Sequence, residues 1–326
     1  MSETKGMVIN METIYITTEN GTLRCESEHL KLTKRGKLVQ CIPLVGVKSL
    51  VILNSTNLTF PAIDLLLNRG IDIIYTSKSG NVKGRIISAK GGGAIVRLAQ
   101  HSNFLDYQRR LLIAKKFVAG KINNQMALIK KYKYYEKNHS FDAYFLDIQR
   151  FLVSLEKAES IDTIMGIEGI AAKYYWAHFG ALLKNPVFIR RDYRPAPDYV
   201  NGLLNLAYTF LANELTTCLL AEHFDLELGF LHSVHYGRNS LVLDMMEEFR
   251  APFADAIVLV LLNKNILQEK HFETIRSDFR LNSEGFSKFC MYYHNQVTDW
   301  QEIFRVQVKR LKKALIEGSN YEPYRQ

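Results

Sequence analysis

Cysteine is scarce and scattered in this chain. The four cysteines among 326 residues, Cys25, Cys41, Cys218 and Cys290, stand far apart and form no CxxC pair. That spacing argues against a zinc ribbon, and a chain of this length needs no disulfide framework to hold a core. No apolar run reads as long and charge-free enough to cross a membrane, and the opening MSETKGMVINMET has no signal-peptide core. The cytoplasm is therefore the expected compartment, with no membrane among the partners. Internal repeats and low-complexity tracts are missing as well. The glycine triplet at 91–93 lacks the Lys-Ser/Thr that a nucleotide-binding loop requires, so it reads as a hinge.

Hydrophobic residues make up 47% of the chain, enough for packed cores in two domains. The periodicity changes near residue 90. Before it, runs at 13–17, 29–33, 37–44, 47–53, 71–77 and 79–88 alternate or are rich in β-branched residues, and Gly, Asn and Lys-Arg-Gly turns separate them. One short helix is expected near 60–67. After the change, helical patterns run to the end. They include the apolar VLVLLNKNIL at 258–267, which reads as a buried helix, and a charged terminal run with Lys309, Arg310, Lys312 and Lys313. The expected fold is α+β in two domains: a small β-rich domain over 1–93, then a larger all-α domain over 94–326. Beyond Glu317 the pattern leaves order open.

Lysine and arginine number 42 against 33 aspartates and glutamates, a formal net charge of +9 and a pI near 9.2. Such a balance favours a polyanionic partner through steering and counterion release. Arg109, Arg110, Lys115, Lys116 and Lys121, then Lys130, Lys131, Lys133 and Lys137, interleave with Tyr107, Tyr132, Tyr134 and Tyr135. The stretch suits a phosphate backbone, with rings free for unpaired bases. A helix turning its lysines to water produces the same pattern. Both readings also apply to Arg190, Arg191 and Arg194, just ahead of Pro195 and Pro197.

The chemistry concentrates at 229–250, GFLHSVHYGRNSLVLDMMEEFR. His232 closes a short apolar run, a polar loop containing Gly237 follows, and Ser240 is the expected N-cap of a helix. On that helix Asp244 and Glu247 are three apart and share a face. A histidine nitrogen with carboxylate oxygens suits Mn²⁺ or Mg²⁺. A hydrogen-bonded core histidine beside a solvated Glu247-Glu248 face is the plainer alternative. Upstream, the apolar run at 161–183 reads as a buried helix with Glu168 at its centre, between Gly166 and Gly169. A buried carboxylate is costly unless a cation answers it. That cation is either a bound metal or a salt-bridge partner such as Lys173 or an arginine of 190–194.

An isolated glutamate followed by glycine in an apolar helix, then GFLH, then Gly-Arg-x-Ser, then LxLDxMEEFR, in this order, resembles the CRISPR adaptation integrases, which are metal-dependent DNA nucleases and integrases. The likeness runs from Gly91 onward. It implies that Glu168, His232 and Glu247 bind Mn²⁺ or Mg²⁺ while Asp244 supports the site. Arg238 and Arg250 border that site and, with Lys173, are expected at DNA phosphates or as counter-ions of the buried acids. His235 stands where many relatives carry other polar residues and is expected to be an exposed loop residue. The resemblance further implies a dimerising β-rich domain, a helical catalytic domain and a homodimer joined to a small ferredoxin-like CRISPR adaptation partner protein. The implied reaction is insertion of a short DNA duplex, the prespacer, into a CRISPR repeat through its 3′-hydroxyls. Two other readings remain: a non-catalytic DNA-binding scaffold with structural acids, and a metal-dependent phosphoesterase acting on small substrates.

Overall fold

The computed structural model describes residues 7–10, 13–16, 18–26, 29–47, 49–53, 55–77, 82–88, 93–133, 141–184 and 188–326. Strands β1 (Met7–Asn10), β2 (Thr13–Ile16), β3 (Gly21–Glu26), β4 (His29–Lys34), β5 (Lys37–Ile42), β6 (Ser49–Leu53) and β7 (Asn57–Leu58) come first. Helix α1 (Phe60–Asn68) and strands β8 (Asp72–Thr76) and β9 (Val82–Ile86) follow. They build two sheets, in the orders β1-β2-β6-β8-β9 and β5-β4-β3-β7.

In the first sheet β6 pairs in parallel with both β2 and β8. A strand inside a parallel set is covered on both faces, so SLVIL and DIIYT read as near-continuous apolar runs rather than alternating ones. In the second, β3, β4 and β5 pair antiparallel. The tight β4–β5 turn holds Arg35 and Gly36 at φ 50° and 75°, the left-handed pair of a two-residue hairpin. Ile14, Ile16, Leu23, Leu30, Leu32, Leu50, Ile52 and Ile73 bury completely with Ala62 and Leu66 of α1.

The remaining elements are mostly helical: α2 (Ala94–Leu105), α3 (Tyr107–Lys133), α4 (Asp142–Glu156), α5 (Ile161–Gly180), α6 (Tyr199–Ala221), α7 (Ser240–Glu247), a π-turn (Arg250–Asp255), α8 (Ala256–Asn263) and α9 (Ser283–Glu317). α3 is the spine of this part, with α4, α5, α7 and the π-turn packed on it. Between α8 and α9, β10 (Phe272–Ile275) and β11 (Asp278–Leu281) pair as an antiparallel hairpin, so this part is not purely α. Arg276 and Ser277 make its turn, both left-handed at φ 51° and 65°. Neither is the Gly or Asn that advertises such a turn. The chain packs as two compact units, Met1–Arg97 together with Thr216–Phe224, and Leu98–Leu215 together with Asp225–Gln326.

Four details depart from the sequence pattern. α5 is not buried all round, since Met165, Ile170 and Tyr174 are exposed while Ile164, Ala171, Tyr175 and Phe179 are buried. α6 is, by length and composition, apolar enough to cross a membrane, against the expectation that no run would be; 72% of its most apolar stretch lies buried inside the protein, as in a core helix. Of the glycine hinge, Gly91 and Gly92 lie outside the described residues. A Cβ on Gly93 would stand 2.7 Å from the His223 side chain, so close packing selects glycine there. Beyond Glu317 the chain is packed: Tyr321 is buried, accepting from Gln307 Nε2 at 2.7 Å, and Tyr324 N donates to Glu248 Oε2 at 2.7 Å.

Candidate active site

The loop ahead of α7 is built on one carboxylate. Asp244 is fully buried, and its Oδ2 accepts from Phe230 N at 2.6 Å and Leu231 N at 3.0 Å. Its Oδ1 accepts from His232 N at 3.0 Å and lies 2.6 Å from His232 Nδ1. A carboxylate at Nδ1 fixes the orientation of the ring and leaves Nε2 as its outward nitrogen, the arrangement that orients ligating histidines. Gly229 makes room for this, because a Cβ there would fall 2.8 Å from Asp244 Oδ2 and from the Ser240 carbonyl carbon.

α7 begins one residue away from the expected cap. Asn239 holds the N-cap position without a side-chain bond, and Ser240 is instead the first helical residue, buried, with its Oγ donating to Ser233 O at 2.8 Å. The serine closes the loop rather than capping the helix. Arg238 serves the same closure, donating to Ser233 O and, at 3.3 Å, to Ser240 Oγ. His235 is exposed, as its loop position suggests.

Glu247 and Glu248 do not form a solvated face; both are buried. Glu247 meets Glu168 through a residue the sequence placed only in a basic stripe. Lys121 of α3 pairs with Glu168 Oε1 of α5 and stands 2.6 Å from Glu247 Oε2. Neither Lys173, exposed on α5, nor an arginine of 190–194 fills that role. On the other oxygen of Glu247, Oε1, sits Arg250 Nε at 3.2 Å. The guanidinium of Arg250 lies 4.6 Å over the ring of Tyr208. Tyr208 and Tyr175 both donate to Asp255, each at 2.7 Å, which ties the π-turn to α5 and α6.

Electrostatics follow from this crowding. Burial pushes the Glu247 carboxyl up, but Arg250, Lys121 and the nearby His232 together hold it below the ordinary carboxylate range. Burial works against the Lys121 ammonium, yet Glu247 and Glu168 outweigh it and hold its pKa above the usual lysine value. Asp255 goes the other way, raised by burial to about 6 in spite of its two tyrosine donors and Arg250.

Among the described residues, no three His, Cys, Asp or Glu side chains stand close enough together to hold a metal ion. An ammonium stands between the two carboxylates instead. The donor chemistry nonetheless fits a hard divalent cation. Two carboxylates converge on one positive charge, and Glu247 Oε2 is buried with no hydrogen bond, its contact to Lys121 lying outside hydrogen-bond geometry. The imidazole of His232, oriented by Asp244, adds a nitrogen donor of the kind such an ion accepts.

The head groups in the first half of the basic stripe bond the protein's own oxygens, several of them at its surface. Arg109 donates to Asn103 Oδ1 and Ser319 O, Arg110 to Phe230 O, Lys115 to Glu156 O and Lys116 to Glu322 Oε1. Lys130 and Lys131 are exposed. Tyr134, Tyr135 and Lys137 lie outside the described residues.

The family described as CRISPR associated protein Cas1 matches over residues 14–295. A CRISPR-associated endonuclease Cas1 of Thermus thermophilus is 32% identical, covering 95% of this chain and 96% of that relative. Another from Moorella thermoacetica is 30% identical over 82% of this chain and 80% of its own. The fold is shared with a solved Cas1 protein from Thermotoga maritima, at a TM-score of 0.70 and 24% identity over 97% of this chain and all of that one. A casposase bound to an integration product shares it too, at a TM-score of 0.77 and 21% identity over 97% and 99%. A sheet-rich first region and a mostly helical second part thus accompany a family match across most of the sequence, and the chain belongs to the CRISPR-associated protein Cas1 family, whose curated relatives are named endonucleases.

Proposed function

We propose that this protein is a metal-dependent DNA endonuclease and integrase that joins the 3′-hydroxyl ends of a short duplex, the prespacer, to a CRISPR repeat. The observation that carries the reading is the meeting of Glu168 from α5 and Glu247 from α7 on one positive charge, beside a His232 ring that Asp244 orients. Glu168 Oε1, Glu247 Oε2 and His232 Nε2 are the atoms that would hold Mn²⁺ or Mg²⁺. When bound, such an ion neutralises charge on a phosphodiester and lowers the pKa of an attacking hydroxyl.

The chain's own residues supply the rest. Asp244 fixes the orientation of the His232 ring and the loop that carries it, and Arg250 holds the Glu247 carboxylate charged. Joining two strands calls for two such sites at fixed spacing, so the working form is a homodimer, joined by a small ferredoxin-like partner protein and acting on DNA in the cytoplasm. Among the fold's relatives, a partial Cas6-RT-Cas1–Cas2 complex shares it at a TM-score of 0.80 and 19% identity.

The test is strand transfer of a labelled short duplex into a supercoiled plasmid carrying a CRISPR repeat, with Mn²⁺ or with EDTA. Wild type joins only with the metal. His232→Ala and Glu168→Ala lose joining while still binding duplex DNA. Full joining by Glu168→Ala overturns the assignment. One observation favours a second reading, a DNA-binding scaffold: Lys121 already pairs with both acids as their counter-charge without a metal. On that reading Glu168→Ala lowers the melting temperature, and no product forms under any metal, with or without the partner protein.

A further inference from the structure

Two carboxylates drawn together from different helices, Glu247 buried and Glu168 half-buried, repel unless a cation stands between them, and here the cation belongs to the chain. The side chains of Lys121, Glu168 and Glu247 are 11%, 18% and 5% exposed. The ammonium is not shared evenly. It donates to Glu168 Oε1, while its 2.6 Å contact with Glu247 Oε2 is a close ion pair whose angles fall outside the geometry of a linear hydrogen bond. A divalent cation in the same place would meet both oxygens with twice the charge of the ammonium.

The two basic residues at this site differ in how easily they leave. Arg250 carries its charge on a planar guanidinium that lies 4.6 Å over the Tyr208 ring, with its Nε 3.2 Å from Glu247 Oε1 but outside hydrogen-bond geometry. Lys121 is a compact charge on an unbranched four-carbon stem, free to swing about its own bonds. Two carboxylates, one ammonium and one guanidinium sum to zero charge, so a dication added to the group is repelled by the ammonium until that group moves away.

We propose that Lys121 is a displaceable internal counter-ion: it keeps Glu168 and Glu247 together in the metal-free protein and gives them up to the divalent cation, which binds in competition with it. The proposal rests on the metal-dependent reading above. In its light Lys121 is a positioning residue that sets how tightly the metal is held and that keeps the acids assembled before the metal arrives.

The experiment is Mn²⁺ binding to the full chain without DNA, read from the electron paramagnetic resonance signal of free aqueous Mn²⁺, for wild type, Lys121→Met, Lys121→Arg and Glu168→Gln. Methionine keeps an unbranched stem and removes the charge. Lys121→Met is expected to bind Mn²⁺ about tenfold tighter than wild type. It should also melt lower without metal and gain more from added Mn²⁺ than wild type gains. Lys121→Arg should bind no tighter than wild type. If Lys121→Met does not stay folded without metal, the same constants are obtained from Mn²⁺-loaded protein by competition with a chelator. Equal or weaker Mn²⁺ binding by Lys121→Met overturns the proposal. If wild type and Lys121→Met bind equally and Glu168→Gln abolishes binding, the counter-ion role fails while the metal site stands. If no variant binds Mn²⁺, the metal-dependent reading fails and the proposal with it.

Discussion

Asp244 shows at the scale of one residue how a fold holds a reactive side chain. Four donors converge on its two oxygens, three of them backbone N–H groups of 230–232, and the carboxylate is fully buried. Changing Asp244 to Asn turns one acceptor oxygen into a donor that faces other donors. Each buried group left unsatisfied in this way costs about 1–3 kcal/mol. His232→Ala removes only a ring that is 20% exposed and leaves the three backbone donors in place. Asp244→Asn is therefore expected to lower the melting temperature far more than His232→Ala, although only the second removes the ring. Thermal melts of the two variants check the order, and an Asp244→Asn protein as stable as wild type would sink the argument. Spacing alone makes part of this legible, because Asp244 and Glu247 three apart after His232 mark one helix face. Lys121 is not legible that way. It lies 47 residues before Glu168 in a stripe whose other members also look like a water-facing or phosphate-facing set, and only the packing of α3 on α5 and α7 reveals its partners.

At the scale of an element, the segment from α7 through the π-turn to α8 is a helix interrupted for a stated reason. Pro252 has no N–H, so the carbonyl of Glu248, four residues earlier, has no helical donor. Asn124 of α3 supplies one, its Nδ2 donating to Glu248 O at 2.8 Å. The widened turn carries on through Ala254 N to Phe249 O at 3.4 Å, a five-residue step. The same Asn124 amide donates to Tyr324 O at 2.9 Å and accepts from Gln326 N at 2.9 Å, so one side chain ties the interrupted helix to the terminal segment. Asn124→Ala is expected to cost about 1–3 kcal/mol in unfolding free energy. Asn123→Ala is the control, since its amide bonds only Ala119 O of its own helix, and it should stay within about 0.5 kcal/mol. Equal stability of the two variants in denaturant melts would remove Asn124 from this role. Elements whose pattern is strong were readable in advance as strands or helices: β6 and β8, the helix after Phe60, the apolar α8. Those set by tertiary partners were not, among them the π-turn and the β10–β11 hairpin, whose left-handed Arg276 and Ser277 are unusual turn residues.

At the scale of the whole molecule, the formal net charge of +9 overstates what is available to a polyanion. Arg109, Arg110, Lys115, Lys116 and Lys121 all spend their head groups on protein oxygens, while Lys130 and Lys131 on the same helix are exposed. DNA affinity should therefore fall steeply with salt, but the slope should depend on the second group and not on the first. Each phosphate contact contributes about 0.9 to the slope of log affinity against log salt. Replacing Lys130 and Lys131 together by alanine is expected to reduce the slope by about 2 and to weaken binding to all duplexes alike, since phosphate contacts carry no sequence information. Lys115→Ala is expected to leave the slope unchanged, because its ammonium is already bonded to Glu156 O at 2.7 Å. Fluorescence anisotropy of a labelled duplex across a salt series measures both. A slope that responds to Lys115 and ignores Lys130 and Lys131 would mean that the internal bonds of the first group open on DNA, and that the exposed lysines of α3 face away from it.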